Sequence, residues 1–173
     1  MDNLIINKTD LEVFDTFVQK YGENALVLYP EFDDIQIYAV SIFDTQYAEE
    51  VCFYEHDTFG FYFNYIVEPK YAEIIVNEKA CRNMCLTEQE MMAAIAHELG
   101  HIKYTNINEV DVQDKFSEIF SDDFVCEIGL GKPLSSLLKK FINYGDLPEE
   151  LSQNIRERLM YISFNLQNNF FTQ

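Results

Sequence analysis

The chain has 173 residues, is 48% hydrophobic and 15% aromatic, and carries a formal net charge of −18. That size and apolar content suit one domain with a genuine core, and that charge argues against nucleic acid or an anionic membrane surface as a partner. No run of 18 apolar residues and no basic stretch leading into an apolar one occurs, so a cytoplasmic protein is expected, with Cys52, Cys81, Cys85 and Cys126 reduced.

Thr9 and Glu12 have the spacing of a capping box. Leu11, Phe14, Phe17, Val18 and Tyr21 follow at helical intervals, with Gly22 as the expected stop. From 25 to 77 the pattern reads as strands. Residues 25–29 form a short apolar run ended by Pro30. Ile35, Ile37 and Ala39 alternate with Gln36, Tyr38 and Val40. Residues 51–55 and 59–67 are rich in β-formers around a hairpin loop that contains His56, which reads as a solvated surface residue. Residues 71–77 supply a further strand. The sum is a small, mostly antiparallel sheet. Cys81 and Cys85 share a helical face, but neither a histidine nor a CxxC pair accompanies them.

Thr87 and Glu90 form a second capping box, flanked by Leu86 and Met91 as a hydrophobic staple. Met91, Met92, Ile95, Leu99 and Ile102 then predict a helix from about 88 to 104. Inside it lies His97-Glu98-Leu99-Gly100-His101. Histidines at i and i+4 share one face and can hold one metal ion, while Glu98 lies about 100° round the helix, beside the water that such a metal activates. This HExxH arrangement points to Zn2+. Gly100 costs about 1 kcal/mol relative to alanine inside a helix, and a small residue there lets another element come close.

Catalytic zinc takes three protein ligands, and no histidine follows His101. A second helix, from about 109 to 128 and stopped by Gly129, carries Glu118 and Asp122 one turn apart. Glu118 is the candidate third ligand. Asp122 is the candidate acceptor for the second ring N–H of a ligating histidine. Asp111, Asp114, Asp123 and Glu127 read as the solvated face, and residues 106–108 as a loop. Pro133 fits the first turn of a helix reaching about 144. Leu151, Ile155, Leu159, Ile162 and Leu166 mark a last amphipathic helix. The tail 168–173 is expected to fray, or to cover the cleft with Phe170 and Phe171.

HELGH, followed by EIFSDDF and GLGKPLSSLLKK, resembles the gluzincin zinc peptidases of the CAAX-prenyl-protease/HtpX type, and their soluble relatives, the minigluzincins. The resemblance covers residues 71–162. It implies a zincin-like α+β fold in a single domain over 1–173: a helix and sheet in 1–80 and a helical metal-binding half in 86–166. It makes His97, His101 and Glu118 the zinc ligands, Glu98 the general base and Asp122 the supporting carboxylate. It implies a strand that binds extended substrate along its edge, placed here at Ile74, Ile75, Val76 and Asn77. It also implies an oxyanion-stabilising residue, for which Arg158 is the best match and Tyr144, Arg156 and Tyr161 are substitutes. The membrane-spanning helices of the prenyl proteases are absent, so farnesylated substrates are not implied. The expected activity is zinc-dependent endopeptidase action on a peptide or protein substrate. The alternatives are an ImmA/IrrE-like protease acting on a repressor partner, or a non-catalytic zinc-containing binding protein.

Overall fold

The structure, a computed structural model, describes residues 4–42, 63–68, 70–108, 115–144 and 147–168. The expected strand at 51–55, His56 with its loop, and the tail from 169 onward lie outside them.

Strand β1 (Ile5–Asn7) leads into helix α1 (Val13–Leu28) through a turn held by Asn7. Asn7 Oδ1 accepts from the Thr9 backbone N–H at 2.9 Å, and Asn7 Nδ2 donates to the Leu11 carbonyl at 3.0 Å. Thr9 accepts from the Leu11 N–H at 3.1 Å and so closes a local turn; the helix starts three residues later than a Thr9 cap requires. Gly22 does not stop α1. It is buried within the helix, where a Cβ would lie 3.3 Å from Val18 and 4.0 Å from Leu4. Residues 25–28 are therefore the last turn of α1, and the expected strand there does not exist.

That correction decides the sheet. A 3-10 turn (Pro30–Asp34) delivers the chain to β2 (Gln36–Ser41), so β1, α1 and β2 form a βαβ crossover and the two strands are parallel. Strand β3 (Phe63–Glu68) turns through Lys70, at φ +63°, into β4 (Tyr71–Val76). Among the described residues the strand order is β1-β2-β4-β3, with β2 and β4 parallel and only β3 antiparallel. The sheet is mostly parallel, not mostly antiparallel. Strand β4 pairs along its whole length on both sides. Ile74, Ile75 and Val76 thus have no free edge to offer a substrate, and Asn77 instead caps helix α2 (Glu78–Asn83) by accepting from the Ala80 N–H at 3.0 Å. Among the described residues, the strand at the sheet's edge beside the next long helix is β3.

That helix, α3 (Glu88–Asn108), is the hub. It runs through the expected loop at 106–108 and packs on α1, β3, β4 and the two helices that follow. Met92, Ile95, Leu99 and Ile102 are fully buried on it. Ile37, Ala39, Ala72, Ile74 and Val76 face the same core, while Val40, Ile42 and Ile75 form a small second cluster on the opposite sheet face. Helix α4 (Lys115–Glu127) ends where Gly129 takes φ +87°: the Gly129 N–H bonds the Cys126 carbonyl and the Leu130 N–H bonds that of Val125. Helices α5 (Gly131–Tyr144) and α6 (Glu149–Asn168) complete the chain. Among the described residues no helix is long and apolar enough to cross a membrane.

The capping box at the start of α3 forms as expected. The Thr87 N–H bonds Glu90 Oε2 at 2.8 Å and the Glu90 N–H bonds Thr87 Oγ1 at 3.2 Å. Glu90 also binds α5, accepting from Lys140 Nζ at 2.6 Å and Ser136 Oγ at 2.8 Å. Burial alone would raise its pKa, but these donors together hold it below the ordinary value. Ionised Glu90 therefore contributes stability above about pH 4.5 that is lost as the pH falls through its depressed folded pKa. Glu90→Gln should cost about 2–4 kcal/mol in urea unfolding near neutral pH. The gap from wild type should close in strong acid; a gap independent of pH would show that the carboxylate charge is not what matters.

Candidate metal centre

Glycine at position 100 governs the site. A Cβ there would lie 2.6 Å from Ser121 Cα and 2.9 Å from Ser121 Cβ. The backbones of α3 and α4 therefore meet as closely as two helices can. Glu118, one turn before Ser121, is brought under both histidines.

The His97 and His101 rings stand nearly perpendicular at 89°, with their Nε2 atoms 3.0 Å apart. Glu118 Oε2 lies 3.4 Å from His97 Nε2, and Oε1 lies 3.3 Å from His101 Nε2. A tetrahedral zinc with ligand bonds of about 2.0–2.1 Å has ligand–ligand edges of about 3.3 Å; the separations here are near that, with each imidazole facing a different oxygen of Glu118. Among the described residues, His97, His101 and Glu118 form the grouping of His, Cys, Asp or Glu that can hold a metal ion. The donor set also fits: two imidazoles plus one carboxylate suit zinc. Cys81 is not part of such a group. It is buried, which pushes its thiol up to about 12, and Cys85 is exposed.

Each imidazole is also held from behind. His97 Nδ1 lies 3.1 Å from Asp122 Oδ1, and Asp122 is fully buried. An ionised carboxylate can only accept, so Nδ1 carries the proton and Nε2 faces Glu118. His101 Nδ1 lies 2.6 Å from Ser117 Oγ. Ser117 escaped the sequence reading because a serine beside a glutamate on a helix carries no spacing signal of its own.

Arg158, on α6, enters the same cluster. Its Nε and Nη2 donate to the two oxygens of Asp122 at 2.9 and 2.7 Å, and its Nη1 forms an ion pair with Glu118 Oε2. Nη2 is 3.4 Å from both His97 nitrogens. The other candidates for its role lie elsewhere. Arg156 pairs with Glu149 on the surface at 3.4 Å, and the Tyr161 hydroxyl donates to Asp123 at 2.7 Å. The side chain of Tyr144 is outside the described residues.

The charges separate sharply. Burial pushes Glu98 up, against the smaller pull of the two histidines. Burial also acts to raise Glu118 and Asp122, but Arg158 and the histidines outweigh it and hold both well below the usual carboxylate range. For His97, burial and Arg158 oppose protonation, yet the Asp122 and Glu118 carboxylates raise it to about 9. Two carboxylates of one site driven in opposite directions are suited to different work: Glu98 to taking up a proton, Glu118 to staying charged.

Comparison with known proteins returns no match: no family model, no curated protein and no solved structure resembles the chain.

Gly100→Ala tests the geometry. Alanine favours a helix by about 1 kcal/mol over glycine, so propensity alone predicts a gain. The obstructing atoms are backbone, so the helices must part; a net loss of about 1–3 kcal/mol is expected. Zinc affinity, measured by chelator competition, should fall at least about tenfold with it. A variant as stable as wild type with unchanged affinity would show that the helices do not meet this closely.

Proposed function

We propose that the protein is a zinc-dependent endopeptidase of the gluzincin kind, working in the cytoplasm. The observation that carries this reading is the triangle of His97 Nε2, His101 Nε2 and the Glu118 carboxylate, with edges of 3.0–3.4 Å, beside a glutamate that ligates nothing. His97, His101 and Glu118 would hold zinc. Bound there, it would polarise a carbonyl and make a nucleophile of water near neutral pH. Glu98 would accept the proton of the attacking water and pass it to the leaving amine, a task its raised pKa suits. Asp122 and Ser117 would keep the imidazoles aimed. Arg158, held by Asp122 and Glu118, would keep its remaining N–H groups for the substrate carbonyl. An extended peptide would pair with β3, the edge strand beside α3.

A second reading, a non-catalytic binding module, has one observation in its favour: Arg158 already supplies a positive charge to Glu118. Zinc content and a single variant separate the two. Purified protein should hold one zinc per chain. Glu98→Gln should keep the metal and lose casein cleavage by a factor of about 10²–10⁴. Protein that holds no zinc and regains none on its addition would end the metallopeptidase reading. Bound zinc without any cleavage would leave the binding module.

A further inference from the structure

Beside the triad, sharing Glu118 with it, is a cleft of about 170 Å3 lined by Glu118, Ile119, Asn154, Glu157, Arg158 and Tyr161. Its α6 wall consists of residues 154, 157, 158 and 161, spaced to share one helix face. The volume suits one long side chain rather than a nucleotide or a folded element.

Its chemistry is two-ended. Ile119 and the Tyr161 ring make an apolar wall, and the Tyr161 hydroxyl is fixed by both oxygens of Asp123, at 2.7 and 2.9 Å, so the ring stays in place. Glu157 and Asn154 sit one and two turns nearer the start of α6 than Tyr161, with Glu157 accepting from Gln153 at 3.2 Å. Arg158, the cation among the described residues that line the cleft, is spanned by the two oxygens of Asp122 and paired with Glu118, so its charge is offset within the wall. Glu157 adds a further carboxylate to the lining, in a protein whose whole field is strongly negative.

An apolar side chain would fit the wall but take water from Glu157 and Asn154 without replacing it. An acidic one would meet Glu118, Glu157 and the field of the chain. A lysine or arginine matches both ends: its methylenes lie along Ile119 and Tyr161 while its head reaches Glu157. We propose that this cleft is a subsite for a lysine or arginine side chain next to the scissile bond, so that the substrates are basic peptides. The inference rests on the peptidase reading for its context, but the binding preference can be measured without cleavage.

Two measurements test it on the full chain loaded with zinc. The first uses peptides that differ only in carrying lysine, norleucine or glutamate at one of the positions flanking the cleaved bond. Lysine should raise kcat/KM about tenfold over norleucine at one position. Glu157→Gln should bring that ratio near one, and Glu157→Lys should turn the preference towards glutamate. The second measures binding of the same peptides to Glu98→Gln by fluorescence anisotropy, where the same order should hold. Cleavage that ignores the lysine, or a lysine preference that survives both Glu157 variants, overturns the subsite and leaves the peptidase intact. A Glu157-dependent lysine preference in binding with no cleavage by wild type supports the subsite and overturns the peptidase reading.

Discussion

The contact on which the molecule depends is the approach of α3 to α4 at Gly100 and Ser121. A glutamate side chain is short. It reaches two imidazoles on a neighbouring helix only when the backbones nearly touch. Ser117 and Ser121, one turn apart and fully buried, give α4 a smooth face, and Ala96 and Gly100 do the same for α3. Two local penalties are tolerated there: a glycine within the helix, and the Ser121 hydroxyl, buried without a hydrogen bond. Both are understandable if interhelical distance, not local stability, is what this seam must hold.

The same approach concentrates charge where water is scarce. Asp122 is fully buried, and His97, His101 and Glu98 are nearly so. Ions in such surroundings persist only when paired and hydrogen-bonded. Arg158 meets that need for Asp122 and Glu118 together, and in doing so ties α6 to the ligand helix. Glu98 has no comparable partner among its dominant influences; burial governs it, and its pKa rises. Placement relative to one guanidinium thus assigns different properties to glutamates on adjacent helices.

Much of this site was legible in the sequence because helical spacing is a rigid code. His97 and His101, and likewise Glu118 and Asp122, share faces by arithmetic, and the structure brings all four together. The capping box at Thr87 was equally plain, since both of its halves are local. The sheet was less legible. Residues 25–29 are apolar and precede a proline, which suits a strand's end as well as a helix's end, and Gly22 suggested a stop. Only packing of Gly22 against Leu4 reveals why the helix continues. Strand direction followed from that misreading; the placement of a substrate edge on β4 came instead from the family resemblance, and pairing of β4 on both sides removes that edge. Ser117 was invisible for a different reason: its role depends on which histidine lies opposite, a tertiary fact.

The consecutive carboxylates Asp122 and Asp123 show how α4 couples the His97–His101–Glu118 cluster to the cleft. Adjacent helical residues point about 100° apart, so the two cannot serve one partner. Asp122 turns to His97 and Arg158, while Asp123 turns to Tyr161 and accepts from Asn165 at 3.1 Å. Both sets of partners on α6 lie within two turns, at 158, 161 and 165. Helix α6 is therefore keyed to α4 at two bearings, which fixes its rotation as well as its distance. The wall that carries Glu157 is held in register with Glu118 by the bonds of Arg158 to Asp122 and Glu118 and of Tyr161 and Asn165 to Asp123. Loss of Asp123 would loosen the Tyr161 side of the cleft and leave the Asp122 contact with His97 in place.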